Sequence, residues 1–449
     1  MEKIYHFIGI GGVSMSALAK LLHSQGNIIT GSDINPTTKL DFATVFHDHN
    51  PQNVKPADVV VFNNAIDSNN PELLEAKKLG KKIISRGDLL GEVSRNYKNI
   101  IAVSGMHGKS TTTEMIAEVF LKAGKNPTIH LGAISKKINS NLFIGSKDYF
   151  ITEACEYGDS FLSLHPNLSV VLNIEAEHLD YFKCFSNIQK SFKVFFNQSE
   201  KTIIHKNFKN IIQNKNKKIK KPNKINVFND NYHIYAKNIR RNKNKIIYDL
   251  FYNQKFRGKV VLNSIIEKNV ENSLACFLVC KHFKIDDRYF FSAMKKFKGT
   301  NRRMEVLNQN PLLIEDYAHH PTEIKAVVDS VKAQYFSQKN NHTLKNKSSK
   351  KLCVIFQPHT YSRTKEFFSE FVEVLSQADC IGILETFSAR EKIIQGATGF
   401  DIFKALKNYF SPDTVHYFQN IYEVKRFINS ISDEYITLYI GAGESLKNI

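Results

Sequence analysis

The sequence predicts an α/β protein of three domains, and three observations carry that prediction. Short apolar runs alternate with helix-period segments along most of the chain. Two glycine-rich turns, at Gly9 and at Gly105, each follow an apolar run and open a helix pattern. The 449 residues are enough for about three cores at about 150 residues each. Strands alternating with helices build parallel sheets with crossover helices.

The elements follow in order. Residues 4–10 read as a buried strand, and Met15, Leu18, Ala19 and Leu22 recur at helical spacing after it. Residues 27–30 and 58–62 are strand-like, and this first domain covers 1–98. The second domain, 99–297, opens on the strand 99–104 and adds strands at 149–153 and 168–174. Its later part, about 201–261, is Lys/Asn/Ile-rich and reads as a peripheral β-rich excursion, with a helix resuming at 269–282. The third domain, 298–449, carries strand patterns at 312–315, 352–356, 380–384 and 435–440, with helical segments such as 367–378 between them.

Composition narrows the function classes. Hydrophobic residues are 42% and charged residues 23%, the balance of a soluble globular protein and not of a disordered chain. A net charge of +19 raises nucleic-acid binding. Much of that excess lies in the stretches 206–224, 237–245 and 339–351, which have almost no interleaved aromatics. A solvated surface explains them better, and no nucleic-acid partner is expected. The six cysteines form no Cys-x-x-Cys pair, and Cys276 and Cys280 fit one buried helix face. No apolar run approaches the roughly 18 residues of a membrane span, and the first residues run straight into a strand pattern, unlike a signal peptide. The expectation is a cytoplasmic protein without a membrane anchor; oligomeric state is not legible.

The strongest chemical signal is Gly105-Met106-His107-Gly108-Lys109-Ser110-Thr111, between the strand 99–104 and a helix marked by Met115, Ile116, Val119 and Phe120. Strand, glycine loop, Lys-Ser and helix is the context of a phosphate-binding loop. Backbone N–H groups at a helix start surround phosphates where side chains leave room. Gly105 and Gly108 leave that room, Lys109 supplies a charge, and Ser110 offers a hydroxyl to magnesium. The strict eight-residue pattern is not met, because its first glycine falls on Val103. The structural alternative is an ordinary turn capped by Ser110 or Thr111.

The first turn, Gly9-Ile10-Gly11-Gly12-Val13-Ser14, has Asp33 about 20 residues on, as in dinucleotide folds. Ser14 occupies the third-glycine position. A nicotinamide or flavin site and a site for the diphosphate of another nucleotide both fit, as does a tight turn without ligand. A separate ATP loop favours a nucleotide-linked substrate. Glu153 ends one strand, and the run 172–180, with Glu175, Glu177, His178 and Asp180, follows another. A carboxylate and an imidazole meeting there suit magnesium beside phosphates. In the last domain, residues 315–323 and 357–364 again follow strands, and an arginine (Arg363) beside histidine suits a carboxylate or a transferring phosphoryl group. Taken singly, each of these also reads as surface solvation, or for Asp180 as a helix cap, and for Arg363 a surface ion pair is the readier reading.

Together these segments resemble the Mur ligase family. The resemblance rests on residues 6–12 with Met15 and Ser16, then on 105–113, 175–180, 316–323, 357–364, Ser388-Ala389-Arg390-Glu391 and Gly441-Ala442-Gly443, in family order over nearly the whole chain. It implies an N-terminal Rossmann-like UDP-binding domain, a central P-loop ATPase-type parallel sheet and a C-terminal Rossmann-like domain. It implies a ligase that uses ATP and Mg2+ to join L-alanine to the lactyl carboxylate of UDP-N-acetylmuramic acid through an acyl phosphate. By the same resemblance Gly9, Gly11, Gly12, Asp33 and Arg86 line the UDP site. Lys109 and Ser110 hold phosphate and magnesium, and Glu153 and His178 are metal ligands. Asn269 and Asn272 read adenine, and Tyr317, His319 and Arg363 meet alanine and the transferring phosphate, with His319 a candidate proton acceptor.

The sequence departs from the family pattern at several positions. Met106 and Ser110 each replace a Thr, Lys268 stands where a His often precedes the adenine-reading Asn, and Thr360 replaces an Arg. Lys193 lies at a distance compatible with the carbamylated lysine of sibling ligases. The rivals are a sister ligase that attaches a ready-made peptide, a P-loop ATPase acting on nucleic acid, and an NAD-dependent oxidoreductase.

Overall fold

The computed structural model describes residues 2–212, 224–230, 233–242, 244–336, 350–389, 391–431 and 434–448. Its first sheet has five parallel strands in the order Thr44–Phe46, Ile28–Ser32, Ile4–Ile8, Val59–Phe62, Lys82–Ser85. Ile4–Ile8 is central, with Phe7 and Ile8 fully buried. The chain leaves it toward Ile28–Ser32 on one side and later returns to Val59–Phe62 on the other. The crevice at the carboxyl ends of two such strands is where open α/β sheets bind ligands. Gly9 sits there.

The second sheet has seven strands in the order Lys224–Phe228, Lys201–His205, Leu168–Val171, Asn99–Ser104, Tyr149–Glu153, Thr128–Ser135, Ser140–Phe143. All its pairs are parallel except the last, an antiparallel hairpin. Strand Asn99–Ser104 is central, and Ile101, Ala102 and Val103 are fully buried. A run buried on both faces reads as continuously apolar, as this one does.

The Lys/Asn/Ile-rich excursion divides in two. Its strands Lys201–His205 and Lys224–Phe228 extend the central sheet, because Ile203 and Ile204 pair with Val170 and Val171 and are fully buried. The rest forms a separate three-stranded sheet of Ile234–Asn242, Lys245–Tyr252 and Lys255–Leu262. Helix Lys268–His282 follows, with Cys276 and Cys280 both buried.

The last sheet runs Glu305–Gln309, Leu312–Asp316, Tyr435–Ile440, Lys351–Phe356, Cys380–Leu384, Val415–Phe418. It is parallel apart from the hairpin at its first edge. The helical segment expected at 367–378 is Phe368–Leu375, preceded by Tyr361–Glu366.

The chain packs into two compact units. One comprises Met1–Ile239, Tyr248–Leu262 and Asn269–Thr300; the other comprises Arg240–Ile247, Asn263–Lys268 and Asn301–Ile449. The first unit holds the first two sheets on one continuous apolar core that includes Phe7, Leu18, Leu89, Ile100, Phe150 and Phe161. The second unit has its own core around Ile314, Val328, Val354, Phe371, Ile381 and Leu438. Among the described residues no helix is long and apolar enough to cross a membrane.

Candidate active site

The loop after strand Asn99–Ser104 turns on glycines. Gly105 has φ 136° and Gly108 φ 84°, values that a β-carbon disfavours. Gly108 caps helix Lys109–Lys122, and a β-carbon on it would stand 3.1 Å from Asn272 Oδ1. Asn272 and Asn269 are buried and joined by a 2.9 Å hydrogen bond, so the Asn pair lies beside the loop. The side chain of Asn173 pins the loop from below. Its Oδ1 accepts the His107 N–H at 2.8 Å, and its Nδ2 donates to the His107 carbonyl at 2.9 Å.

Lys109 Nζ donates to the carbonyls of Gly105 (2.6 Å) and Met106 (3.1 Å) and to both oxygens of Glu156 (3.0 Å each). Burial works against the ammonium, but the Glu156 carboxylate outweighs it and raises the Lys109 pKa. Glu156 is only 1% exposed. Burial works against its charge too, yet Lys109 and then His178 hold its carboxyl below the usual range. His178, in the left-handed region at φ 58°, places Nε2 3.4 Å from Glu156 Oε1. Ser110 Oγ donates to Glu153 Oε2 at 2.9 Å, and Glu153 Oε1 accepts the Gly132 N–H at 2.6 Å. His107 Nε2 stands 3.5 Å from Glu175 Oε2, and Thr111 is half-buried in the first helical turn.

The first glycine turn is built differently. Ser32 carbonyl accepts the N–H groups of Gly9 (2.7 Å) and Ile10 (3.0 Å). Asp33 Oδ2 accepts the Gly11 N–H at 2.9 Å, and a β-carbon on Gly11 would lie 2.7 Å from that oxygen. Gly12 caps helix Val13–His23. Arg86 Nη1 donates to Ser14 Oγ at 3.3 Å.

In the second unit, strand Leu312–Asp316 ends at a buried carboxylate that accepts the N–H groups of Met304 (2.7 Å) and Ala318 (2.8 Å). The Tyr317 ring lies against two guanidinium groups, Arg302 at 5.2 Å and Arg303 at 5.3 Å. His319 Nδ1 donates to Tyr317 carbonyl at 3.0 Å, which fixes the proton on that nitrogen. Burial pushes the His319 pKa down to about 3 against the pull of Glu323. Arg363 Nη1 donates to His359 Nδ1 and to its carbonyl, both at 3.1 Å. The His319 and His359 rings are 5.9 Å apart. Thr360, at φ 69°, caps the helix of Arg363 by accepting its N–H at 3.4 Å. Arg302 donates to the carbonyls of Gly441 (2.6 Å), Gly443 (2.8 Å) and Glu444 (3.1 Å), and so ties down the glycine turn near the chain end.

Three family models match this chain in sequence order: "Mur ligase family, catalytic domain" over residues 4–98, "Mur ligase middle domain" over 103–280, and "Mur ligase, glutamate ligase domain" over 302–443. A UDP-N-acetylmuramate–L-alanine ligase of Clostridium acetobutylicum is 36% identical over 462 residues, spanning 100% of this chain and 96% of the relative. The chain belongs to the Mur ligase family. Its fold is the three-domain α/β fold of that family. It superposes on the crystal structure of a UDP-N-acetylmuramate–alanine ligase from Thermotoga maritima with a TM-score of 0.80 and 23% identity, covering 99% of this chain and 96% of that one. A more distant Mur ligase from the same organism, the MurF ligase crystallised with ADP, matches with a TM-score of 0.58 and 13% identity over 98% and 92% of the two chains.

Against the Mur ligase pattern, the structure brings Gly105, Met106, His107, Gly108, Lys109, Ser110, Glu153, His178 and Asn272 to the carboxyl ends of the central strands of the second sheet. It brings Gly9, Gly11, Gly12 and Asp33 to the switch point of the first sheet, and Tyr317, His319 and Arg363 to the carboxyl ends of strands Leu312–Asp316 and Lys351–Phe356 in the last. Lys193 lies half-buried in helix Phe185–Gln198. Arg390 falls outside the described residues. Four residues carry too little signal in sequence to be singled out: Glu156, Asn173, Arg302 and Arg303. The first two sit within runs that follow strand ends, where a polar residue is the only cue. The two arginines precede the first strand of their domain, and only their partners in the fold distinguish them: Tyr317 for both, and the turn at Gly441 and Gly443 for Arg302.

The donor set suits magnesium in part. Ser110 and Glu153 place a hydroxyl and a carboxylate oxygen side by side at the loop, the hard oxygen donors that Mg2+ takes together with phosphates. His178 presents its nitrogen to Glu156 and is a softer donor. Among the described residues, no group of three or more His, Cys, Asp and Glu stands at metal-binding spacing. The fit is therefore one hydroxyl and one carboxylate, with His178 ordering Glu156 behind Lys109.

Proposed function

We propose that this Mur ligase joins L-alanine to the lactyl carboxylate of UDP-N-acetylmuramic acid, using ATP and releasing ADP and phosphate, in peptidoglycan precursor synthesis. The Lys109–Glu156 pair at the phosphate loop is the observation that carries the reading. A lysine held charged, and aimed by a buried carboxylate, is what a phosphoryl transfer needs most, since such transfers depend on positioning and charge neutralisation. Mg2+, bound through Ser110 and Glu153, would neutralise charge on the phosphates. Domain boundaries at 98/99 and 297/298 fit this division of labour. The cytoplasm is the setting of this proposed reaction.

The residues divide the chemistry. Gly9, Gly11, Gly12, Asp33 and Arg86 hold the UDP-sugar, and the loop 105–111 with Asn269 and Asn272 holds ATP. A lactyl carboxylate oxygen attacks the γ-phosphorus, and the bond from that phosphorus to the ADP oxygen breaks. The alanine nitrogen, as the free amine, then attacks the acyl carbon, the carbon–oxygen bond to phosphate breaks, and the proton the nitrogen loses leaves on the departing phosphate. Arg363 supplies a guanidinium suited to the charge of a transferring phosphoryl group. Tyr317 and His319 orient alanine. A pKa of about 3 makes His319 a weak base. Its Nε2 lone pair receives a hydrogen bond from the amine and does not store the proton. Excluding water protects the acyl phosphate.

The test is phosphate release from ATP with UDP-N-acetylmuramic acid, adding one amino acid or peptide at a time. Release that requires L-alanine supports the reading. Release that requires a tripeptide instead assigns the chain to the peptide-attaching sister activity. Release without the sugar nucleotide, or stimulated by DNA, removes the proposal.

A further inference from the structure

The serine that breaks the first glycine fingerprint has a partner in the central sheet. Ser14 Oγ lies 3.0 Å from His130 Nε2 and accepts from Arg86 Nη1 at 3.3 Å. His130, 2% exposed on strand Thr128–Ser135, has Nδ1 3.0 Å from Thr152 Oγ1. The Thr152 hydroxyl donates to the Glu153 carbonyl at 3.1 Å. One assignment of protons satisfies every member. Thr152 spends its hydrogen on Glu153 and accepts from His130 Nδ1–H. The Nε2 lone pair then takes the Ser14 hydroxyl, whose oxygen takes the arginine. The result is a continuous run from Arg86, at the sugar-nucleotide turn, to the residue that carries the loop carboxylate.

We propose that His130 is a positioning residue that holds Arg86, through Ser14, at the sugar-nucleotide site and ties that arginine to the strand bearing Glu153. A guanidinium on a flexible side chain loses entropy when it binds an anion, and a fixed acceptor removes part of that cost beforehand. A glycine at position 14 has no hydroxyl to hold the guanidinium, and an apolar side chain at position 130 cannot hold the hydroxyl. The departure at Ser14 and the imidazole at 130 therefore act as one unit. The inference rests on the assignment of Arg86 to the UDP-sugar.

The experiment is steady-state kinetics on the full chain, with UDP-N-acetylmuramic acid and ATP varied separately. His130→Leu is expected to raise the KM for the sugar nucleotide about tenfold, leaving kcat and the KM for ATP within about twofold. Ser14→Ala should do the same. The double variant should be no worse than either alone, since both remove one linkage. His130→Gln, whose amide both accepts and donates, should recover most of the loss. If His130→Leu lowers Tm and depresses kcat and both KM terms together, with no rescue by Gln, the role is only structural and the proposal falls. Unchanged KM in both single variants also overturns it. Arg86→Ala separates the two layers: if the KM for the sugar nucleotide does not rise, the assignment of Arg86 to that substrate fails, whatever His130 does.

Discussion

The two glycine turns of the first unit share one grammar and are closed by different side chains. Each follows a buried strand and opens a helix. At the first, the turn's N–H groups are already taken by Ser32 carbonyl and the Asp33 carboxylate, so the turn is closed by the protein's own acceptors. At the second, a lysine reaches back over the loop and is clamped by Glu156, while Ser110 leans on Glu153. An acidic side chain at the first turn suits ribose hydroxyls. A cation with a hydroxyl and carboxylate at the second suits a triphosphate with its metal. On the proposed function, the same backbone device serves two different nucleotides through the side chains that close it.

The largest effect that tests this contrast is at Lys109. Lys109→Met should lower kcat about 10³-fold, by analogy with the loss of a transition-state donor, and ADP release would measure it. Residual activity near the normal level would mean that the loop does not grip ATP. Next is Glu156→Gln, which leaves Lys109 largely enclosed without its counter-ion. Breaking a buried pair costs about 3–5 kcal/mol, so urea unfolding should shift markedly. Because the Lys109 side chain is 17% exposed, the shift should sit at the low end. The double variant Lys109→Met with Glu156→Gln should regain stability while staying inactive. That outcome would separate the pair's energetic role from its catalytic one.

At the first turn the expected effect is smaller and confined to one substrate. Gly11→Ala puts a β-carbon 2.7 Å from Asp33 Oδ2 and 2.8 Å from Thr38 Oγ1. Both are side-chain ends that can shift, so the turn should move without unfolding. The KM for UDP-N-acetylmuramic acid should rise about tenfold, the equivalent of about 1.4 kcal/mol, with the KM for ATP unchanged. A rise in the ATP term instead would reverse the assignment of the two turns.

How much of this was legible in sequence follows from what each residue interacts with. The strands at Ile4–Ile8, Asn99–Ser104 and Tyr435–Ile440 declare themselves because runs buried on both faces must be apolar. Gly105 and Gly108 declare themselves through the conformations that they alone adopt easily. Glu156 does not, because its role depends on Lys109, 47 positions away in the chain. Arg302 and Arg303 are hidden for the same reason: their partners at Gly441, Gly443 and Tyr317 are assembled only by the sheet. The strands at Lys201–His205 and Lys224–Phe228 looked peripheral because lysines and asparagines surround them. Only pairing with Leu168–Val171 reveals that Ile203 and Ile204 face the core.

The smallest expected effect concerns pH, and it contrasts the histidine cluster of the second unit with the loop helix of the first. Burial lowers His319 to about 3 and His359 to about 4. A group whose folded pKa is depressed contributes stability that is full above its unfolded value near 6.5 and is lost as pH falls toward the folded value. The opposite holds on helix Lys109–Lys122, where burial raises Glu114 to about 8 and Glu118 to about 7. Their contribution is full below about 4.5 and is lost as pH rises through those folded values. For catalysis, His319 then stays neutral throughout the working range. His319→Gln should lower kcat/KM for alanine by about tenfold, an ordinary loss for one oriented hydrogen bond to a charged group. The shape of the profile between pH 5.5 and 8.5 should not change. A limb near pH 6.5 that vanished in the variant would show that His319 takes up the amine proton itself, and the orienting role assigned to it would have to be abandoned.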